Sequence, residues 1–207
     1  MRKGEETRQA ILTHALGLAS RVGFEGLTIG RLADDLHLSK SGLFAHFKAK
    51  EALQVQVLGL AARRFVDEVV RPALAEPRGE PRLRELFRRW LAWEQSPSLP
   101  GGCPFIAAAT ELDDRPGPAR DFLVRSLKDL SDVIVTMARA GVEEGQFRAD
   151  LDCEQLAHDL SGVFLAYHQA VRLMKDPHAS TRATAAFEAL VRAARPSGVP
   201  ASRRRRR

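Results

Sequence analysis

Cysteine is scarce in this chain, with two in 207 residues, Cys103 and Cys153. Two thiols so far apart make no disulfide framework and match no zinc-binding spacing. That excludes a disulfide-stapled secreted scaffold and a zinc finger, and fits a reducing cytoplasm. No run approaches the ~18 consecutive apolar residues of a membrane helix. The start Met1-Arg2-Lys3-Gly4-Glu5-Glu6 is polar and carries no apolar signal core, so a cytoplasmic protein without membrane contact is expected. No alternating stretch of strand type and no internal repeat occurs. A glycine-rich phosphate loop, a nucleophile elbow and a His-Glu-x-x-His pair are all missing. The acidic pairs Asp34-Asp35, Asp113-Asp114 and Glu143-Glu144 fall beside helix ends or on polar faces, where solvated carboxylates are ordinary. Catalysis, a cofactor and a bound metal are therefore not expected.

Apolar content, by contrast, is ample. At 44% hydrophobic the chain can bury a real core. Its formal charge of +6 is unevenly placed. Residues 203–207 are five arginines, and without them the balance falls to +1. Residues 1–50 carry eight Lys/Arg against five Asp/Glu, whereas residues 51–202 carry 19 against 21. A basic head on a near-neutral body is the electrostatic footprint of nucleic-acid binding.

Helical periodicity runs almost throughout. Ile11, Leu12, Ala15, Leu16, Ala19 and Val22 recur at steps of three and four, predicting a helix over 6–22 with Gly23 as its C-terminal cap. Thr28 before Ile29, Leu32, Ala33 and Leu36, and Ser39 before Leu43, Phe44 and Phe47, mark two short helices, each with a hydroxyl N-cap. A longer helix opens at Lys48-Ala49-Lys50-Glu51 and reaches about Val70, limited by Pro72. Further helices are predicted over 81–95, 103–113, 118–144, 152–174 and 179–195, separated by Pro- and Gly-rich loops. The fold expected is all-α: a three-helix head over 5–65 and a helical ligand-binding and dimerisation body over 66–196, joined by the linking helix. A disordered arginine-rich tail would occupy 197–207.

The pair of short helices has the makings of a helix-turn-helix, in which the second helix enters the major groove while the first crosses the backbone. Close packing needs a small residue on the first helix, and Ala33 supplies it. The turn needs positive φ; glycine is best, and His37 belongs to the tolerated exceptions. Leu43 turns back to Leu32 and Leu36. Ser39, Lys40, Ser41, Gly42, Phe44, Ala45 and His46 remain for the outside. Serine and lysine suit phosphates or base edges, Gly42 allows close backbone approach, and Lys50 can hold a flanking phosphate.

These residues also resemble a known family. Thr7-Arg8-Gln9-Ala10-Ile11-Leu12, Gly23-Phe24-Glu25-Gly26-Leu27-Thr28, Leu32-Ala33, Leu38 to Phe44, His46-Phe47 and Lys50-Glu51-Ala52-Leu53 together are similar to the DNA-binding domain of TetR-family regulators. The resemblance covers Thr7 to Leu53. It implies a homodimeric, ligand-responsive repressor with a variable C-terminal domain, released from a palindromic DNA operator by a small lipophilic inducer. It also implies a DNA-contacting set of Thr28, Ser39, Lys40, Ser41, Gly42, Leu43, Phe44, His46 and Lys50, with Thr28 and Lys50 on phosphates. The chain departs from the family's habit twice. His37 stands where glycine is frequent, and Phe44 where tyrosine is usual. Phe44 lacks the phosphate-binding hydroxyl, which leaves it apolar contact with a thymine methyl or a sugar.

The body offers less specific signals. The helices over 118–144 and 152–174 are the expected dimer surface. In the second, Leu156, Leu160, Val163, Phe164, Tyr167 and Val171 form an apolar face, with small Ala157, Ser161 and Gly162 beside it. Trp90, Trp93, Phe105, Phe122, Phe164, Tyr167 and His168 are candidate walls of a ligand pocket. Cys103, in Gly101-Gly102-Cys103-Pro104, sits at a helix start, where free N–H groups favour thiolate. It is a pocket candidate and, alternatively, an electrophile or redox sensor, though a plain capping role fits a Gly-Gly loop better. The other alternative is a helical scaffold that binds no DNA. The arginine tail would add non-specific phosphate contacts.

Overall fold

The computed structural model describes residues 2–196, with side chains from residue 4. Ten α-helices follow one another, and no strand occurs among the described residues. The predicted 197–207 tail lies outside them.

Helix α1, Arg2–Gly26, buries Ile11, Leu12, Ala15, Leu16 and Ala19. It does not stop at Gly23. The chain kinks there, at φ +77°, and takes one more turn to Gly26. Helices α2, Ile29–Leu36, and α3, Lys40–Phe47, begin on the two predicted caps. Thr28 Oγ1 accepts the Arg31 N–H at 3.1 Å, and Ser39 Oγ accepts the Gly42 N–H at 3.1 Å. Between them His37 sits at φ 54°, ψ 37°. There the Leu38 N–H reaches the Ala33 carbonyl at 2.9 Å and closes the turn. Phe24, Leu27, Leu32, Ala33, Leu43 and Phe47 are buried beneath the turn. At about 1.5–3 kcal/mol per large buried side chain, this small core holds α2 and α3 at a set angle.

Helix α4, Lys50–Phe65, leaves the head and is continued by a π-helical turn, Val66–Val70, and by α5, Arg71–Ala75. Pro72 therefore does not end the helix as predicted. The wider turn lets the Arg71 N–H bond the Val66 carbonyl, five residues back. Proline has no N–H for the Glu68 carbonyl four residues before it, and the Arg89 guanidinium donates to that carbonyl instead, at 3.2 Å.

The body comprises α6, Glu80–Glu94; α7, Pro104–Leu112; α8, Pro118–Glu143; α9, Cys153–Arg172; and α10, Ala179–Ala194. Helix α9 packs against α8 and α10, α8 also covers α4, and α7 seats α1. Glu80 on α6 is held by Arg84 and by Arg195 just past α10, and Arg84 also grips Glu188 of α10 at 2.5 Å. The buried residues of head and body form one continuous core. At the seam, Gly101 lies so close to α1 that a Cβ there would sit 1.4 Å from the Ser20 carbonyl oxygen. Its N–H bonds Ser20 Oγ at 3.1 Å.

Candidate nucleic-acid interface and ligand cavity

The outer face of the head carries most of the predicted contact set. Thr28, Ser39, Lys40, Ser41, Gly42, Phe44 and His46 are all exposed. Phe44 is 56% exposed and Leu38, at the turn, 46%, an unusual outlay of apolar surface for a small head. Lys40 lies over Gly30, its Cε 3.7 Å from where a Cβ would stand. This brings an ammonium to the N-terminus of α2 beside Thr28, and a cation with free helix amides suits a phosphate. Gly42 has a further duty. A Cβ at that position would meet Ser39 Oγ at 3.0 Å, so the missing side chain also makes room for the cap.

Two members of the predicted set stand differently. Leu43 is 1% exposed and belongs to the head core, so its side chain is no DNA contact. A helix of eight residues over a hydrophobic core must turn one residue in each turn inward, and Leu43 and Phe47 are those residues. Lys50 is not free. Its ammonium donates to the Glu25 carbonyl at 2.9 Å and to the Glu25 carboxylate at 3.0 Å.

Glu25 itself ties head to body. Arg115, between α7 and α8, lies 2.6 Å from its carboxylate, and the Glu111 carboxylate of α7 accepts the Glu25 N–H at 2.7 Å. Gly23 makes room for Glu111: a Cβ there would meet its Oε1 at 1.9 Å. Hydrogen bonds from Arg115, then Lys50, hold the Glu25 carboxyl below its ordinary range. On the other side of the head, Asp35 of α2 pairs with His14 of α1, which lowers the Asp35 carboxyl in the same way.

The body encloses a cavity of about 400 Å³ between the end of α4, the π turn, α6, α7, α8 and α9, within the size range of small-molecule sites. Of the predicted walls, Trp90, Phe105 and Phe164 line it. Trp90 and Phe164 stack with centroids 3.5 Å apart, and Phe65 meets Trp90 edge-on at 5.3 Å. Phe65, Val66 and Val70 also line it, as do Leu127 and Leu130 of α8 and Ser161 and Leu165 of α9. The π turn that brings Val66 and Val70 to the cavity left no trace in the apolar periodicity.

The other five pocket candidates lie elsewhere. Trp93 is buried behind the wall, edge-on to Phe65 at 5.4 Å. Phe122 faces α4 beside Gly59. Tyr167 bonds Gln95 at 2.5 Å and Ser180 at 3.2 Å. His168 Nδ1 pairs with Glu94 at 2.8 Å. Cys103 is wholly buried, and that burial pushes its thiol up to about 11. The helix-start position that favours thiolate is thus overridden by desolvation, and the sensor alternative loses its chemical basis. Sequence reasoning passed over Glu94, which is 3% exposed. Its carboxylate joins His168 to the Cys103 N–H at 3.0 Å, capping α7 from α6.

With this geometry described, the chain can be set beside known proteins. The model of the tetR family of bacterial regulatory proteins matches residues 11–57, and that of the tetracyclin repressor-like C-terminal domain matches residues 79–187, more than half of the chain. The tetracycline repressor protein class C of Escherichia coli is 48% identical over 46 residues, 22% of this chain and 21% of that protein. The matched stretch thus spans about a fifth of that relative's length. Among solved structures, a TetR transcriptional regulator from Chloroflexus aurantiacus J-10-FL is 24% identical with a TM-score of 0.81, over 93% of this chain and 96% of that one. A TetR-family regulator from Cytophaga hutchinsonii is 18% identical with a TM-score of 0.82, over 95% and 98%. AibR, solved with isovaleryl coenzyme A and operator DNA, is 22% identical with a TM-score of 0.69, over 87% and 97%. No helix among the described residues is long and apolar enough to cross a membrane. The chain belongs to the TetR family of DNA-binding transcriptional regulators and is not an enzyme.

Proposed function

We propose that this regulator is a homodimeric repressor that holds a palindromic operator in the cytoplasm and releases it when a small lipophilic molecule fills the body cavity. The observation that carries the reading is the path of α4. One end of this helix starts at Lys50, beside the recognition helix, and the other supplies Ala62, Phe65 and, through the π turn, Val66 and Val70 to the cavity wall. Sixteen residues at 1.5 Å each span about 24 Å, so an occupant of the cavity presses on a rod whose far end bears on the DNA face. The α7–α8 segment offers a second route. Phe105, Ile106 and Ala109 of α7 line the cavity, and Glu111 and Arg115 hold Glu25. A ligand that binds better when these elements shift moves the population toward heads that misfit the operator.

For the dimer, α9 with α10 is the better surface, in place of α8 with α9. Of the expected dimer face of α9, Leu156, Leu160, Phe164 and Tyr167 are buried within the chain, and Val163 and Val171 are half-buried. The outer side of α8 is charged, with exposed Arg125, Lys128, Asp132, Arg139 and Glu143. Gly162 and Ala166 are exposed on α9, as are Ala185, Ala186, Ala189 and Ala193 on α10, which packs against it, and small residues let helices from two copies approach closely. Two heads so joined would read half-sites about 34–36 Å apart or a multiple of it.

The test combines light scattering, fluorescence anisotropy on DNA upstream of the gene, and a thermal-shift screen of lipophilic compounds followed by operator release. A dimer, a sequence-selective complex and at least one stabilising compound that weakens it are expected. A monomer at micromolar concentration, or stabilising compounds that all leave operator affinity unchanged, would refute the reading. No selective binding to any fragment would favour a scaffold.

A further inference from the structure

We propose that the cavity selects organic cations: an apolar, preferably aromatic, body bearing one positive charge. The inference rests on the reading that this cavity is the ligand site. Its lining contains one ionisable side chain, Asp129 of α8, and no lysine, arginine or histidine. Asp129 makes no ion pair or hydrogen bond among the described residues, and neither does Arg125 one turn earlier, so the carboxylate is not neutralised by the protein.

The uncharged polar groups lean the same way. The Ser126 hydroxyl donates to the Phe122 carbonyl at 3.0 Å and the Ser161 hydroxyl to the Ala157 carbonyl at 2.9 Å. With their hydrogens turned to the backbone, both serines offer the cavity lone pairs. The donors that remain in the lining, the Trp90 N–H and the Ser131 hydroxyl, are neutral and cannot balance a negative charge. An anionic ligand would shed its water against an uncompensated carboxylate. A cation meets that carboxylate at the rim, while its apolar body meets the aromatic wall made by Phe65, Trp90, Phe105 and Phe164. Exposed Val66, Leu127 and Leu165 mark the mouth, and Asp129, also exposed, belongs to the lining at its edge. The apolar end of the ligand thus enters the body while its charge stops at the rim.

The test uses three probes of matched size on the purified full chain: phenyltrimethylammonium, its neutral isostere tert-butylbenzene, and the anion phenylacetate. Binding is read by calorimetry and operator release by anisotropy in the same samples. The cation is expected to bind at least about fivefold more tightly than the isostere, a modest ratio because the carboxylate is exposed, and phenylacetate not at all. Asp129→Asn should bring the cation to the level of the isostere and leave the isostere unchanged. Equal or tighter binding of the isostere, an unchanged cation affinity in Asp129→Asn, or no binding by any probe overturns the proposal. Neutral binding that releases DNA overturns the charge preference and keeps ligand release. Charge-selective binding without DNA release does the reverse.

Discussion

Replacing Glu25 by glutamine should tighten operator binding, although Glu25 is not part of the DNA-reading face. The carboxylate holds the Lys50 ammonium at 3.0 Å and the Arg115 guanidinium at 2.6 Å. Lys50 must leave that pairing to neutralise a phosphate. The side chains of Lys50 and Glu25 are each 39% exposed, so the pair is a surface one, worth about 0.2–1 kcal/mol. Two half-sites then gain about 0.4–2 kcal/mol, a roughly 2- to 30-fold tighter complex at 1.4 kcal/mol per decade. A freed lysine on each half-site also steepens the salt dependence, by up to about 0.9 in the log–log slope per lysine. The assay is anisotropy across a series of salt concentrations for wild type, Glu25→Gln, Lys50→Gln and the double variant. The gain should vanish in the double variant. If Glu25→Gln gains nothing, Lys50 is no phosphate anchor; if the gain survives without Lys50, the carboxylate acts by bulk repulsion and the latch is wrong. The pH dependence follows from the lowered Glu25 carboxyl. Its folded value lies below the unfolded 4.5, so its stabilisation is present above that pH and is lost as pH falls through the folded value. Glu25→Gln should remove this component of acid sensitivity.

Phe44→Tyr places a hydroxyl on an exposed ring of the recognition helix and should tighten operator binding by roughly tenfold in the dimer, by one added phosphate hydrogen bond per half-site. Because tyrosine is neutral, the salt slope should stay as in wild type; a looser complex would mean that Phe44 occupies an apolar contact with no phosphate in reach. Gly101→Ala drives a Cβ into the Ser20 backbone and should cost about 3 kcal/mol or more, lowering Tm by roughly 6–12 °C. A shift under 2 °C in calorimetry would show that the 96–102 loop is free to withdraw from α1. Cys103, with its thiol pushed up to about 11 by burial, should resist iodoacetamide at pH 8 in the native protein and react after denaturation. Rapid native alkylation, or a Cys103→Ser protein that no longer responds to electrophiles, would restore the sensor reading.

The head was legible in the sequence because its signals are local. Thr28 and Ser39 cap helices that start one residue later, and His37 takes positive φ between them, all within one short segment. Leu43 shows the limit within that segment: motif resemblance put it in the contact set, whereas its spacing from Leu32 and Leu36 had already turned it inward. The cavity was legible only in part. Trp90 and Trp93 lie one turn apart on α6 with the same chemistry, yet one lines the cavity and the other backs Phe65. Their shared apolar face says that both are inside, and only the packing of α4 says which side of the wall each occupies.

The sequence by itself thus determined the run of helices, the helix-turn-helix and the family, because caps, periodicity and turn residues act over a few bonds and are written next to one another. The tertiary structure alone decided four things: that Lys50 is held by Glu25, which Arg115 also grips, that buried Glu94 pairs with His168, that Pro72 is carried through a π turn whose loose carbonyl Arg89 takes up, and that the aromatic cavity has Asp129 as its one charge. Each depends on groups far apart in the chain. Distance, burial and charge between such groups exist only once the helices have packed, and no local pattern encodes them.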